Sequence, residues 1–394
     1  MSGNPEAYIA GFRRTAFTRS RPNQPEKDLF NSIRMDRALA ALVSDAVDGT
    51  GLEGGRVDDF IVGCAYQRDE NWTFGGRHPV FLAGLPETVP SMAVDRACSS
   101  SLNAISIGAM EIMTGNADVV MAAGMEHMTH VPRLSNRLCD ALLEDERFAR
   151  YDMKTGYYMG LTAEKLARKA GIGREEMDAY SLRSHTLAAR AYDEGYFKGE
   201  ILPLTVETAE GSMTVDTDQS MRRDTSMEAL RRLPPAFMED GLVTAGNSSP
   251  LNAGASLVTI MSGRMVEETG ARPLARIVSF GWAAVNPSIM GAAVVPAARK
   301  SLERAGLSAD DIDVWEINEA FAVVALNAAR ELGIGEERMN IRGGAIALGH
   351  PLGATGGRIA GTLARMLPRG SGKKGVAALC VGGGQGYSMV LEAC

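Results

Sequence analysis

The sequence predicts an α/β fold made of two similar layered halves, with a loop-rich lobe inserted between them. The main observation is an internal repeat, in which residues 35–62 align with residues 290–317 at an offset of 255 from Met35 to Met290. Each copy has an amphipathic helical pattern, a Gly-Leu stop and an acidic turn that leads into a short apolar strand. Helices and strands that alternate in this way predict a sheet with parallel strands.

Both halves continue in the same order after the repeat. In the first half, the helical pattern SSSLNAISIGAMEIMTG precedes an apolar strand at 118–124. In the second half, a helical pattern at 355–367 precedes an apolar strand at 375–384. Equivalent halves that pack together bring these strand ends and helix starts to one shared centre. We expect the functional site at that centre.

The sequence between the two halves has a different character. It is charged and rich in methionine and loops, with helical patterns near 161–170 and 175–194. The strand SLVTIM at 256–261 then returns to the first half. The predicted domains are an N-terminal half at 1–124 with 246–269 returning to it, an inserted loop domain at 125–245, and a C-terminal half at 270–394.

Composition and charge exclude several classes of function. The chain has 394 residues, 45% of them apolar, which suffices for a large core, and its net charge of −7 without a long basic run gives no footprint for nucleic acid. No stretch approaches the length of a membrane span, and the start of the chain lacks the apolar core of a signal peptide, so we expect a cytoplasmic protein without a membrane span. The five scattered cysteines predict free thiols rather than disulfides.

Cys98 occupies a position that suits a nucleophile. It directly precedes a helical pattern that starts near Ser99, where the helix dipole and free N–H groups stabilise a thiolate. A small buried cysteine packed at a strand-to-helix turn fits the same segment equally well. The segment alone leaves both interpretations open.

His350 lies in an unusually glycine-rich segment. The string NIRGGAIALGHPLGATGGR at 340–358 surrounds this histidine with six glycines and a proline. Such a loop has little side-chain bulk, so a substrate and main-chain N–H groups can approach the imidazole closely. The string matches neither a P-loop nor a dinucleotide fingerprint. The alternative is that the glycines serve only tight turns.

Two further segments carry candidate polar groups. In ALCVGGGQG, Cys380 ends an apolar strand before three glycines, which indicates an acid or base beside an oxyanion hole. In EINEAFA, Asn318 and Glu319 follow the strand of the second repeat at the switch into a helix, where an N-cap role for Asn318 is equally compatible. His127 and His130 in HMTH have no third ligand nearby in sequence, so they predict a polar loop and no metal site.

Taken together, the strings ACSSSLNA, NEAFA, GGAIALGHPLGATGGR and CVGGGQG make the sequence resemble the thiolase family, in order and spacing, across nearly the whole chain. VTAGNSSPLNAGA and NPSIMGAAVVPA are most similar to its bacterial fatty-acid-oxidation branch, the 3-ketoacyl-CoA thiolases. The resemblance implies a duplicated αβαβα layered fold with an inserted loop domain. It also implies an acyltransferase that uses coenzyme A to cleave 3-ketoacyl-CoA into acetyl-CoA and a shortened acyl-CoA in β-oxidation.

The resemblance also implies a role for each candidate residue. Cys98 is the nucleophile that carries the acyl group as a thioester. His350 takes the proton of Cys98 and, with a water held by Asn318, stabilises an oxyanion. Cys380 moves the proton at the α-carbon of acetyl-CoA, and the main-chain N–H groups of Cys98 and Gly382 form a second oxyanion hole.

Coenzyme A is the implied co-substrate, and no cofactor is implied to be bound permanently. By resemblance, Ser249 contacts the pantetheine arm and Arg222 lies near the nucleotide. Met159, Met290 and Phe321 line the acyl or pantetheine tunnel, although side chains of these types fit an ordinary core equally well.

The implied partners are acyl-CoA and CoA, and the implied assembly is a homodimer or homotetramer, with a β-oxidation multienzyme partner left open. One alternative is a biosynthetic acetoacetyl-CoA thiolase. Another is a non-catalytic thiolase-like lipid carrier, which we expect to have lost Cys98, Asn318, His350 or Cys380, and none is lost. A decarboxylating ketoacyl synthase is disfavoured because it is expected to carry a histidine where Cys380 stands.

The sequence also departs from the family pattern around the site. Asp95 replaces the usual Asn, Ser101 replaces a Gly, and Ala293 and Val294 replace a Gly-Pro pair near Met290. These departures predict an altered acyl pocket and leave the preferred chain length open.

Overall fold

A computed structural model of the chain describes residues 5–50, 52–132, 138–208, 210–370 and 372–394. The strands are β1 (Ala7–Arg14), β2 (Thr18–Arg19), β3 (Asp59–Gly63), β4 (Ser91–Val94), β5 (Val119–His127), β6 (Leu204–Thr208), β7 (Gly211–Val215), β8 (Asn252–Ser262), β9 (Ala275–Ala284), β10 (Val314–Ile317), β11 (Lys374–Val381) and β12 (Gln385–Ala393). The α-helices are α1 (Met35–Thr50), α2 (Arg77–Leu82), α3 (Ser100–Met113), α4 (Asp140–Glu144), α5 (Met153–Gly156), α6 (Met159–Ala170), α7 (Arg174–Asp193), α8 (Met227–Arg231), α9 (Gly263–Thr269), α10 (Val294–Ala305), α11 (Ala322–Leu332), α12 (Ala345–Leu348) and α13 (Leu352–Met366).

The main sheet contains the two halves side by side. Its strand order is β10-β11-β12-β9-β1-β8-β5-β3-β4, and β2 pairs with β8. In each half a parallel pair, β3 with β5 or β10 with β11, is followed by antiparallel strands. The halves meet where β1 pairs with β9. In the described part of the chain this ladder consists only of Tyr8 opposite Arg276 and Ile9 opposite Ala275.

The central layer consists of two helices, one from each half. α13 packs against α3 and against β5, β8 and β11, while α1 lies on β8 and β5 and α10 lies on β9 and β12. Every residue of β5 and β8 is buried, as expected for strands covered on both faces. Close packing in this layer needs glycine, because a Cβ at Gly356 would lie 2.3 Å from the main-chain nitrogen of Leu102. The predicted αβαβα layering is confirmed.

The repeat is visible in the structure, with one local difference. β3 and β10 begin at Asp59 and Val314, which are 255 residues apart, as the sequence alignment requires. The second helix, however, begins at Val294 rather than near Met290. The preceding residues form a 3-10 segment in which Ile289 has a non-helical φ of −131°. The predicted helix start is therefore wrong by one turn.

Each copy has a predicted helix stop at a glycine, and the structure describes one of the two. Gly306 follows α10 in the left-handed conformation, with φ of 67°, and caps the helix as predicted. Gly51, the first predicted stop, lies outside the described residues.

A buried ion-pair cluster joins the start of the chain to the segment between β5 and β8. The Arg14 guanidinium lies 2.7 Å from a carboxylate oxygen of Glu200 and 2.7 Å from one of Asp218, with all three side chains fully buried. Buried pairs of this kind fix relative positions more than they add stability. Within the described ranges, no helix has the length and apolar character needed to cross a membrane.

Candidate active site

A cavity of about 350 Å³ opens at the centre where the two halves meet the inserted segment. Cys98, His350 and Gly382 line it, and they come from three separate segments of the chain. Most of the other lining side chains are apolar, including Tyr66, Met128, Met153, Tyr157, Phe237, Leu251 and Leu352. An apolar cavity with a few convergent polar groups is the usual form of a small-molecule site.

Cys98 lies in the 3-10 turn Ala97–Ser99 that leads directly into α3. Ala97 has a positive φ of 43°, which is rare for a residue with a side chain. Two hydrogen bonds hold this turn: the Ala97 N–H donates to Asp95 Oδ1 at 2.7 Å, and Ser100 Oγ donates to the Ala97 carbonyl at 2.7 Å. The turn places the sulfur at a helix N-terminus, where a thiolate is stabilised.

His350 is held in one tautomer. Its Nδ1 lies 2.7 Å from Thr355 Oγ1, and that hydroxyl donates its only proton to the carbonyl of Pro351 at 2.8 Å. Thr355 must therefore accept from His350 Nδ1–H, which leaves the lone pair on Nε2. Burial, and secondly the nearby charge of Arg358, lower the pKa of His350 to about 3. The imidazole is thus a neutral base at physiological pH.

Asn318 faces the imidazole from the end of β10. Its Nδ2 lies 3.4 Å from His350 Nε2, and its main-chain N–H donates to Ala378 at 2.9 Å. Its Oδ1 is buried and has no hydrogen-bond partner among the described residues, a state that favours a bound donor such as water. Phe321, not Asn318, is the N-cap of α11, so the helix-cap alternative for Asn318 is wrong.

Cys380 lies at the end of β11 and is fully buried. Burial, and secondly the charge of Cys98, raise the pKa of Cys380, so this thiol keeps its proton and can donate it. Two residues later the main chain passes beside the Ala97–Ser99 turn, because a Cβ at Gly382 would lie 3.9 Å from the Ala97 Cβ. Gly384 adopts a φ of 81°, and a Cβ there would lie 2.5 Å from the Val285 carbonyl oxygen.

The residues assigned to coenzyme A fall into two places. Met159, Ser249, Met290 and Phe321 line the same cavity as Cys98. Arg222 does not; it lines a separate groove of about 440 Å³ together with His185. His185 Nδ1 accepts the Arg222 main-chain N–H at 3.2 Å.

The residues that depart from the family pattern have clear positions. Ala293 and Val294 are fully buried at the start of α10 and are not among the residues that line the cavity, so the structure does not bring them to the site. Ser101 Oγ accepts the Gly357 N–H at 2.8 Å and so links α3 to α13. Met290, a neighbour of Ala293 in sequence, does line the cavity.

The HMTH histidines face each other and not the cavity. The rings of His127 and His130 stack with centroids 3.8 Å apart. His127 Nε2 lies 3.1 Å from the Phe30 carbonyl, and His130 Nδ1 lies 2.7 Å from Glu70 Oε2. Across the ranges that the structure describes, no group of three or more His, Cys, Asp or Glu side chains is arranged to hold a metal ion.

Sequence reasoning missed several groups that shape the site. Glu126, at the end of β5, is fully buried and accepts N–H groups from Ala65 at 2.9 Å, Tyr66 at 3.2 Å and Gly353 at 3.0 Å. It thereby joins a cavity-lining loop to the start of α13. A signal existed for this residue, because an acidic side chain that ends a long apolar strand needs internal partners.

Thr355 and Asn252 were also missed. Thr355 lies inside the quoted glycine-rich string, five residues after His350, and its hydroxyl could have been considered as a partner of the imidazole. Asn252 Oδ1 accepts the main-chain N–H of His350 at 2.7 Å across the two halves. No local sequence pattern predicts such a long-range contact.

Comparisons with known proteins identify the family that the chain resembles. Residues 7–264 match the family model "Thiolase, N-terminal domain", and residues 271–393 match "Thiolase, C-terminal domain". The chain is 40% identical over 366 residues, covering 90% of this chain and 92% of the other, to the acetyl-CoA acetyltransferase of Syntrophomonas wolfei. It is 39% identical over 399 residues, covering 100% of both chains, to the 3-ketoacyl-CoA thiolase of Marinobacter nauticus. The crystal structure of human mitochondrial 3-ketoacyl-CoA thiolase superimposes with a TM-score of 0.88 at 34% identity, covering 99% of each chain.

Proposed function

The chain belongs to the thiolase family of acyltransferases, and we propose that it is a 3-ketoacyl-CoA thiolase. In this reaction coenzyme A cleaves a 3-ketoacyl-CoA into acetyl-CoA and an acyl-CoA shortened by two carbons. The observation that carries the proposal is that Cys98 and His350 line one apolar cavity. Asn318 lies behind them, 3.4 Å from the imidazole, and Cys380 lies near enough to Cys98 for the charge of Cys98 to raise its pKa. The proposal includes a cytoplasmic homodimer or homotetramer, as the family resemblance implies.

In the first half-reaction, Nε2 of neutral His350 takes the proton of the Cys98 thiol. The thiolate attacks the 3-keto carbon, and the bond between the α- and β-carbons breaks. Its electron pair leaves as the enolate of acetyl-CoA, which takes a proton from the Cys380 thiol at its α-carbon. The products are free acetyl-CoA and an acyl thioester on Cys98.

In the second half-reaction, the thiol of a new coenzyme A molecule gives its proton to the Cys380 thiolate and attacks the acyl thioester. The bond between the acyl carbon and the Cys98 sulfur breaks, and the acyl-CoA product leaves. Protonated His350 then returns its proton to Cys98, so both thiols and the imidazole regain their starting states.

Two groups of donors stabilise the oxyanions in this scheme. Protonated His350 and a water bound to Asn318 donate hydrogen bonds to the thioester oxygen. The buried Oδ1 of Asn318, which has no partner among the described residues, supports a bound water there. The main-chain N–H groups of Cys98 and Gly382 serve the other oxyanion. The closeness of Gly382 to the Ala97 turn supports this pairing.

In this proposal the acyl chain and the pantetheine arm occupy the apolar cavity, which Met159, Met290 and Phe321 line, and Ser249 contacts the pantetheine arm. Arg222, in its separate groove, contacts the nucleotide end. Relatives carry both 3-ketoacyl-CoA thiolase and acetyl-CoA acetyltransferase names, so a biosynthetic acetoacetyl-CoA thiolase is the second candidate. Thiolysis rates for acyl chains from four to sixteen carbons separate the two, because the second candidate requires a maximum at four carbons.

The test of the mechanism is a covalent adduct on Cys98. Intact-mass spectrometry after rapid mixing with a 3-ketoacyl-CoA is expected to show the acyl mass, and peptide mapping is expected to locate it at Cys98. A Cys98→Ser variant is the control and is expected to give no thioester. An adduct on another cysteine, or none in quenched samples of the unmodified protein, contradicts the proposal.

A further inference from the structure

We propose that Asn252 is a positioning residue that holds the main chain of His350 within reach of Cys98. The inference rests on the proposed function, in which His350 is the base for the Cys98 thiol. Asn252 lies at the first position of β8, in the first half of the chain, whereas His350 belongs to the second half.

Every hydrogen-bonding group of the Asn252 side chain is used. Its Oδ1 accepts the His350 N–H at 2.7 Å. Its Nδ2 donates to the Thr18 carbonyl at 2.8 Å and to Ser220 Oγ at 3.1 Å. The side chain is fully buried, so water does not compete for these bonds. One carboxamide therefore ties the His350 loop to two other segments of the protein.

The loop lies directly against this carboxamide. Gly349 has a φ of 107°, and a Cβ at that position would lie 2.8 to 3.0 Å from the amide atoms of Asn252. Only glycine allows so close an approach in this conformation. Glycine restricts the main chain little, so without the Asn252 side-chain amide the residues between α12 and α13 would be free to move.

Two independent restraints thus act on His350. Thr355 orients the ring through Nδ1, and Asn252 fixes the main chain through the N–H. Asn252 does not hydrogen-bond to the imidazole ring, so its removal displaces the ring without changing the tautomer. Displacement of a proton acceptor by about 1 Å can lower a rate by about 100-fold.

The experiment measures alkylation of Cys98 by iodoacetamide as a function of pH, without any substrate, in the full-length protein. In Asn252→Ala we expect the rate at pH 7 to fall by about 10- to 100-fold, because His350 no longer accepts the thiol proton efficiently. At a pH well above the thiol pKa the rates of variant and unmodified protein are expected to converge. A purely structural role for Asn252 does not move this profile.

Asn247→Ala is the matched control. Asn247 is also fully buried, accepts the Thr244 N–H at 2.8 Å, and donates to Asp178 and to the Leu242 carbonyl at 2.9 and 3.2 Å. Its removal costs a similar set of hydrogen bonds but touches no part of the His350 loop, so the alkylation profile is expected to stay unchanged.

If Asn252→Ala does not fold, the alkylation profile of Asn252→Ser is measured in its place. Serine stays polar but is too short to reach the His350 N–H. An alkylation profile that superimposes on that of the unmodified protein overturns the proposal, as does an equal shift in Asn247→Ala. The assay needs no acyl-CoA, so its outcome is separate from the thiolysis test. A protein without thiolysis whose Cys98 profile still shifts in Asn252→Ala refutes the proposed function alone.

Discussion

The two halves share one scaffold but carry different chemistry. At the repeat offset, Cys98 at the start of α3 corresponds to Gly353 at the start of α13. Conversely, Cys380 at the end of β11 corresponds to Met125 near the end of β5. The first half thus supplies a thiol at a helix start and the second supplies a thiol at a strand end, and the proposed mechanism needs both, one as nucleophile and the other as acid.

The equivalent location on the other side of the centre is closed by close packing. A Cβ at Gly353 would lie 2.2 Å from the Met125 carbonyl oxygen, and one at Gly63 would lie 2.4 Å from the main chain of Ser100. Gly63 occupies the position that corresponds to Asn318. A duplicated fold offers two candidate sites. In this protein glycines let main-chain segments pack closely at one of them, and the other remains a cavity.

The strongest test of this comparison is the thiol of the second half. Because its proposed role is proton transfer at carbon, Cys380→Ser is expected to lower kcat/KM for thiolysis by about 1000-fold, within the range for loss of a general acid. Acylation of Cys98 by acetyl-CoA is expected to persist, as measured by intact mass. The control is Cys64→Ser, at the end of β3, whose sulfur lies 3.6 Å from Glu126 and which we expect to stay within threefold of normal activity. Near-normal thiolysis by Cys380→Ser would mean that this thiol is only a core residue.

The closed location predicts a large loss of stability when it is filled. Gly353→Ala is expected to lower the free energy of unfolding by about 3 kcal/mol, because the new methyl group meets main-chain atoms that cannot move aside easily. Urea unfolding measures the change. The control is Gly49→Ala in α1, where a Cβ meets nothing within 4 Å and helix propensity predicts a gain of up to about 1 kcal/mol. Equal stability of Gly353→Ala and the unmodified protein would show that this location can open.

The two halves also differ in burial at the His350 position, because its counterpart in the first half is the exposed Asp95. Acid titration tests the burial of His350. The pKa of His350 is lowered to about 3, below its unfolded value near 6.5, so its contribution to stability is complete above pH 6.5 and is lost as the pH falls. Between pH 6.5 and 5 this amounts to about 2 kcal/mol of unfolding free energy.

The measurement is urea unfolding across that pH range. His350→Asn is expected to show a shallower loss than the unmodified protein. His185→Asn, which removes another buried histidine whose pKa is lowered to about 4, is expected to reduce the slope as well. An unchanged slope in His350→Asn contradicts the assignment of a buried neutral imidazole.

The smallest effect is expected at the start of α10. Ala293→Gly combined with Val294→Pro restores the usual family pair, and proline is favoured at the first position of a helix. Because neither residue lines the cavity, kcat/KM across a 3-ketoacyl-CoA series is expected to change by less than about threefold, with parallel profiles. Met290→Ala, which alters a lining residue, is the comparison that is expected to shift the preferred chain length. A shifted optimum in the double variant would restore these two positions as specificity determinants.

The sequence predicted the parts of the molecule that depend on local pattern. The repeat located β3 and β10 because apolar strands after acidic turns have a recognisable period. Local pattern also singled out Cys98, Asn318, His350 and Cys380 as candidates, but it left the interpretation of Cys98 and Asn318 open, and the family resemblance supplied the proposed role of each residue. Their convergence required only that the two halves pack with like elements together.

Other features depend on contacts between distant segments, which a local pattern does not encode. The positive φ of Ala97 follows from hydrogen bonds to Asp95 and Ser100, although its helical surroundings gave no sign of a strained turn. The Asn252 contact to His350 joins two halves whose packing distances cannot be read from composition. Arg222 was assigned by resemblance. Its groove is lined mainly by residues of α7, and the sequence does not show that α7 packs beside Arg222.

The narrow ladder between β1 and β9 has a consequence for how the enzyme refolds. Among the described residues only two pairs join the halves along this seam, so most of their association depends on α13 docking against α3, β5 and β8 in the centre. Contacts between segments so distant in sequence form slowly, after local helices and strands. Cys98 and His350 belong to different halves and line one cavity. We therefore expect recovery of thiolysis after dilution from denaturant to lag behind recovery of far-ultraviolet circular dichroism, so that the enzymatic assay reports the rate of the docking step.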